Sequence, residues 1–304
     1  MTPHPDDARR YARIRYRLLF VNLAAGLVLL AAMQWSGLSV ALADWWRQRV
    51  ASAPLLILGY LAVFGAGYYL IMLPLHFYGS FLLEHRFGLS RLTLGGWLRR
   101  EAKHLVVSGV LSAVLVQGLY ALLRYAPAQW PWLATIGWVT FSVILARVFP
   151  TVLLPIFYKT TPLQHHELVS RLMTLCERVG LRAMGVFQFE LGSETRKANA
   201  ALAGLGRTRR VLLTDTLISE FTSDEIEGVL AHELAHHRFH HITKGLALGA
   251  VGSWAAFALT HHVADAWVSA LHLQNLADIA GFPMLMLWLS GLGLLALPLQ
   301  NGLS

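Results

Sequence analysis

A chain of 304 residues has room for one or two soluble domains, but 56% hydrophobic and only 14% charged residues exclude an ordinary soluble protein. The net charge of +8 invites a nucleic-acid partner, yet Lys and Arg cluster in loops beside apolar runs, where anionic lipid headgroups are their natural neighbours; no nucleic acid is expected. A single cysteine, Cys176, excludes an intrachain disulfide and fits a reducing compartment.

In chain order, apolar runs able to cross about 30 Å of hydrocarbon as helices lie near 18–35, 55–78, 105–123, 132–154, 246–263 and 282–299. The first follows a basic stretch, Arg9 to Arg17, and precedes Ala41-Leu42-Ala43, a pattern that also fits a cleaved leader. The run is longer than a signal core, so an uncleaved anchor is expected. The loop 79–103 carries Arg86, Arg91, Arg99, Arg100 and Lys103, the loop after the first span only Arg47 and Arg49, and the loop 264–281 neither Lys nor Arg. Because translocated loops avoid these residues, both termini and the polar block 158–244 are expected in the cytoplasm. Arg147, near the cytoplasmic end of the fourth span, suits either a polar chamber or a snorkelling side chain.

Within the polar block, Thr161-Pro162 reads as the N-cap and first residue of a helix with Leu168, Leu172, Leu175 and Val179 on one face, ended by Gly180. Three strands are predicted: 186–190 by its alternation, then 199–202 and 210–214, joined through the turn Gly204-Leu-Gly206. A second helix opens at Thr222-Ser-Asp-Glu225, where Thr222 caps and Glu225 completes a capping box; Ile226, Leu230 and Leu234 form its apolar face.

This second helix carries five of the chain's fourteen histidines between His232 and His241. His232 and His236 are four residues apart, so on a helix their imidazoles share one face, as two ligands of one metal must. Glu233 stands beside the first as a base. The arrangement is H-E-x-x-H, in which zinc polarises a scissile carbonyl and acidifies a water while the glutamate moves the proton. The bland alternative, histidines complementing a helix dipole together with Arg238 and Lys244, suits His237 and His240 better.

Further motifs in the same order carry a resemblance. Glu84-His-Arg-Phe-Gly-Leu-Ser-Arg-Leu-Thr93, Leu154-Pro-Ile-Phe157 with Thr161-Pro-Leu163, Gly192-Ser193 with Asn199-Ala200, and Leu213-Thr-Asp-Thr-Leu217 are similar to signatures of the type I CAAX prenyl endopeptidases, integral-membrane zinc metalloproteases. The resemblance implies membrane helices around a water-filled chamber, one Zn2+ ion at its cytoplasmic end, and an edge strand at Asn199 and Ala200 that pairs with an extended substrate. It also implies a family position for His241. The expected fold class is therefore mainly α, a polytopic membrane protein of about six transmembrane helices with a small cytoplasmic α+β zinc-metalloprotease domain: 1–157 four membrane helices, 158–244 the peptidase domain, 245–304 a membrane helix pair.

Family members place their third zinc ligand, a glutamate in E-x-x-A-D, just after the last membrane span. No glutamate follows Glu233 here, Asp265 and Asp278 are the later carboxylates, and Asn301-Gly-Leu-Ser304 looks like the start of that segment. The expectation is a chain cut short of its third ligand, weak in zinc binding as written. Ala235 and the short stretch between Leu217 and the helix suggest a bacterial type in the inner membrane, acting on membrane proteins or peptides rather than prenylated ones. A non-catalytic peptide-binding scaffold is the alternative, and a transporter is disfavoured because no inverted repeat is visible.

Overall fold

Long apolar runs in a chain with few charges satisfy their backbone polar groups internally by becoming helices. In the computed structural model the helices are α1 (Pro5–Trp35), α2 (Leu38–Arg47), α3 (Ala53–Phe77), α4 (Leu83–Arg86), α5 (Leu94–Tyr125), α6 (Trp130–Val148), α7 (Leu154–Phe157), α8 (His166–Arg178), α9 (Asp215–Glu220), α10 (Ser223–Arg238), α11 (His241–Ala270) and α12 (Phe282–Asn301). Residues 5–181, 183–192, 194–195, 198–204, 208–238 and 241–301 are described, apart from the side chains of 5, 236–238, 241–243 and 297–301.

Among the described residues, six helical segments are long and apolar enough to cross a membrane: Asp6–Trp35, Ala53–Arg86, Leu94–Tyr125, Trp130–Phe157, Lys244–Ala270 and Ile279–Ala296. Each predicted span falls on one of them. Two contain a π-helical turn, Tyr78–Leu82 and Phe149–Leu153, next to Pro74 and Pro150. A proline removes one amide from the hydrogen-bond ladder, and the widened turn absorbs the mismatch.

The chain divides into two compact units, one comprising 1–87, 106–136 and 250–304 and the other 88–105 and 137–249. In the first, Gly37 adopts φ +77° and turns the chain from α1 into α2, a conformation a side chain would strain. Buried Ser39 donates to the Ala280 carbonyl at 2.6 Å and lies 2.7 Å from the Tyr60 hydroxyl. Arg47 forms an ion pair with Asp278, which also accepts from the amides of Gln274 and Ala280.

The second unit holds a four-stranded sheet of β1 (Thr160–Pro162), β2 (Val186–Phe189), β3 (Ala200–Ala203) and β4 (Arg210–Thr214), in the order β1-β2-β4-β3. β2 and β4 run parallel, and the other pairs are antiparallel. Helices α8 and α10 cover the sheet through Leu168, Leu172, Cys176, Val211, Leu213, Ile226, Leu230 and Leu234, all buried. The three predicted strands are present. Gly204, at φ +96°, starts the β3–β4 connection, where a Cβ would lie 2.4 Å from the Thr208 carbonyl oxygen; Gly206 lies outside the described residues.

The entry to the first soluble helix differs from the expectation. Thr161 and Pro162 belong to β1, paired with Gln188 and Phe187, while α8 begins at His166. His165 is its N-cap, its Nδ1 accepting from the Leu168 amide at 3.2 Å. Pro162 fits β1 because an edge strand needs no outward donor. Gly180, at φ +73°, stands where the helix ends, as predicted.

Candidate active site

Helix α10 is aimed by its own sequence. Glu225 accepts from the Thr222 amide at 2.8 Å and its hydroxyl at 2.9 Å, while Thr222 Oγ1 accepts from the Glu225 amide at 3.4 Å. This is the predicted capping box. The amide first and the hydroxyl second hold the Glu225 carboxyl below the usual carboxylate range. Ile226, Leu230 and Leu234, spaced by four, are at most 1% exposed and pin one face to the sheet.

With that face buried, the neighbouring stripe must face outward. Glu225, Gly228, Val229 and His232, joined by Phe221, line an open cavity of about 510 Å³. His232 is exposed on this stripe and Glu233 half-buried beside it. The helix continues unbroken through residue 236, so the backbone of His236 stands one turn beyond His232 on the cavity side. The side chains of His236, His237 and His241, and all of His240, lie outside the described residues, as does Ser193. Two imidazole-bearing positions one turn apart on a continuous helix, the first of them exposed at a cavity, fit a tetrahedral nitrogen-binding metal such as zinc.

Strand β3 occupies the sheet edge, and α10 packs against it. The Asn199 carbonyl accepts from the Thr214 amide at 3.0 Å, and the Asn199 amide donates to Thr214 Oγ1 at 2.9 Å. The backbone of Asn199 is thus turned toward β4. Since an antiparallel ladder alternates, Ala201 and Ala203 also face β4, and the backbone groups of Ala200 and Leu202 point away from the sheet. The Asn199 side chain is exposed, whereas that of Ala200 is 4% exposed.

Residues that spacing left without a role hold the segment leading to this edge. Asp215 Oδ1 accepts from the amides of Leu191 and Gly192, both at 2.8 Å, and Thr214 Oγ1 caps α9 by accepting from Leu217. From the opposite direction in sequence, the Arg91 amide donates to the Glu194 carbonyl at 2.9 Å, Thr195 Oγ1 donates to the Leu89 carbonyl at 2.8 Å, and Arg100 pairs with Glu194 at 3.3 Å. Burial, and then the charge of Glu194, pushes the nearby Tyr158 hydroxyl up. The available signal was that Leu89, Arg91, Gly192, Thr214 and Asp215 sit inside the quoted motifs, but their partners lie 24 and about 100 positions away.

Two family models cover the chain: "CAAX prenyl protease N-terminal, five membrane helices" matches residues 4–159, and "Peptidase family M48" matches residues 162–304. The uncharacterized metalloprotease YhfN of Bacillus subtilis is 26% identical over 98% of this chain and 70% of its own length. CAAX prenyl protease 1 of Saccharomyces cerevisiae is 28% identical over 62% of this chain, and the match spans 42% of that protein. The crystal structure of S. mikatae Ste24p superposes with a TM-score of 0.79 at 21% identity, over 96% of this chain and 72% of that one. That likeness establishes the fold of a polytopic membrane protein with a small α/β domain.

Proposed function

We propose, for a chain that belongs to the CAAX prenyl protease family of M48 peptidases, that His232, Glu233 and His236 form the centre of a membrane-embedded zinc metalloendopeptidase. The observation that carries this reading is His232 on the open stripe of a helix whose opposite face is anchored, with His236 one turn on. The two imidazoles would hold the metal; bound there, zinc supplies Lewis-acid polarisation of the scissile carbonyl and a more acidic attacking water. Glu233 would take the proton from the attacking water and return it to the leaving amine. Asp278 is unsuited to complete the donor set, because Arg47 and two backbone amides already occupy its carboxylate.

The substrate lies along β3 as an added strand, held by the outward backbone groups of Ala200 and Leu202 and by the exposed Asn199 side chain. His241, the first residue of α11, is assigned to the substrate side by family resemblance. The substrate class is a membrane protein or peptide. The Lys and Arg distribution supports a cytoplasmic site in a bacterial inner membrane, which a reporter-fusion topology map checks. No observation favours a non-catalytic scaffold.

The test is hydrolysis of an internally quenched peptide by the full-length protein in detergent or nanodiscs. Chelation of metal should stop turnover and zinc restore it. Glu233→Gln should lower kcat on the order of 10²- to 10⁴-fold with zinc content and melting temperature unchanged. Undiminished turnover in that variant rules out the assignment.

A further inference from the structure

A polar cavity lies in the unit formed by 1–87, 106–136 and 250–304, where the third and fifth spans end. Its volume is about 380 Å³, and Arg124, Trp130, His261, Asp265, Asn275 and Ala277 contribute to its wall. Arg124 is in the last turn of α5, Trp130 is the first residue of α6, and Asp265 follows His261 by one turn of α11. By the alternation of spans, the loops after α5 and α11 reach the same membrane face, and a Trp and an Arg at helix ends are typical of headgroup depth.

Two opposite charges line this cavity. Elsewhere in the same unit, Arg47 and Asp278 satisfy each other. Arg124 and Asp265 line one cavity, both exposed to it, and neither has a hydrogen bond or ion pair among the described residues. Opposite charges that share a cavity without closing on each other leave room for a ligand carrying both signs.

His261 fixes the polarity of that ligand further. The buried indole of Trp130 donates from Nε1 to His261 Nδ1 at 3.1 Å. An indole N–H can only donate, so Nδ1 bears no proton and the neutral ring carries its proton on Nε2. Nε2–H is then a donor of the same sense as the Arg124 guanidinium. Asp265 and the Asn275 amide oxygen are acceptors.

We propose that this cavity binds the zwitterionic headgroup of an ethanolamine phospholipid. Its phosphate lies between Arg124 and His261 Nε2–H, and its ammonium lies on Asp265 and Asn275. The volume sits at the lower end of small-ligand sites, roughly 300–1,000 Å³, as a headgroup requires. A primary ammonium has three N–H groups to give to a carboxylate and an amide oxygen. A choline headgroup has none and calls for an aromatic cage instead. A glycerol headgroup brings no cation, leaving Asp265 facing a phosphate of like charge.

The experiment places the full-length protein in phosphatidylcholine nanodiscs containing phosphatidylethanolamine or phosphatidylglycerol and counts retained lipids by native mass spectrometry. Retention of the ethanolamine lipid should exceed that of the other two roughly tenfold, the worth of about one charge-assisted hydrogen bond. Asp265→Asn and Arg124→Gln should each bring it down to the choline level. Neither side chain has a partner among the described residues, so both variants should keep the wild-type melting temperature, which is measured alongside; Asn275→Ala provides a third variant outside the helices. Equal retention of the three lipids, or a preference that survives both charge substitutions, overturns the proposal. Soluble phosphoethanolamine is the second arm: saturable binding of it without any lipid preference moves the site from the bilayer to solution and overturns the lipid assignment. None of these outcomes depends on peptide hydrolysis, so the proposal stands or falls apart from the peptidase reading.

Discussion

Asp215→Ala should loosen the segment that precedes the proposed substrate edge without unfolding the unit that holds the sheet. The carboxylate accepts from the backbone amides of Leu191 and Gly192, each at 2.8 Å, as well as from that of its neighbour Thr216 at 3.0 Å. Hydrogen bonds to a charged acceptor contribute about 1.5–3 kcal/mol each. Asp215 and its donors are half-buried, so water compensates part of the loss, and a net of about 2–4 kcal/mol is reasonable. At 1.4 kcal/mol per factor of ten, the Leu191 and Gly192 amides should exchange with solvent roughly 30- to 700-fold faster, measured by hydrogen exchange with mass spectrometry. The amides of Leu212 and Leu213 in the buried centre of β4 should be unaffected, because local opening leaves the core intact. Asp215→Asn keeps an acceptor oxygen but not the charge and should show about half the loss in free energy. Peptide turnover should fall in the same order, Ala below Asn below wild type, with melting temperature little changed. If Leu191 and Gly192 exchange within twofold of wild type in Asp215→Ala, the carboxylate does not hold this segment and the reasoning fails.

Cys176 is fully buried in the helix–sheet core, and burial pushes its thiol up. Iodoacetamide at pH 8 should leave it unmodified in folded protein and alkylate it promptly in denaturant. Thr222→Ala removes the N-cap of α10 and should cost about 1 kcal/mol by denaturant titration. Glu225 has a lowered folded pKa, so its contribution is fully present above the unfolded carboxylate pKa and is lost as pH falls through the folded value. Glu225→Gln should therefore flatten the acid limb of the stability curve, and an unchanged limb would contradict the capping role.

What could be read from the sequence was what local chemistry decides. The capping box of α10 joins residues three apart, and its buried face repeats every four, so start, orientation and outward stripe were all legible. The six spans were legible because hydrocarbon thickness sets their length. The start of α8 was not. Thr161-Pro162 carries the same signal for a helix entry and for an edge strand, and the choice rests on pairing with Phe187 and Gln188, some 25 residues later in the chain. A local rule has no access to that pairing.

The same distinction separates the proposed catalytic helix from its surroundings. His232, Glu233 and His236 sit on one helix and can be placed by periodicity alone, whereas the substrate edge depends on contacts that converge on 191–195 from two directions. Leu89 and Arg91 reach it from one motif and Asp215 from another, each using a backbone group or a carboxylate whose partner no spacing pattern encodes. The motifs around residues 89, 192 and 215 are therefore better understood as parts of one bracket than as separate signatures. A peptidase that holds its substrate by backbone hydrogen bonds needs an edge strand fixed in register, since a shift of one residue would turn the outward groups of Ala200 and Leu202 inward. Bracing the segment ahead of that strand from both sides is a direct way to prevent such a slip.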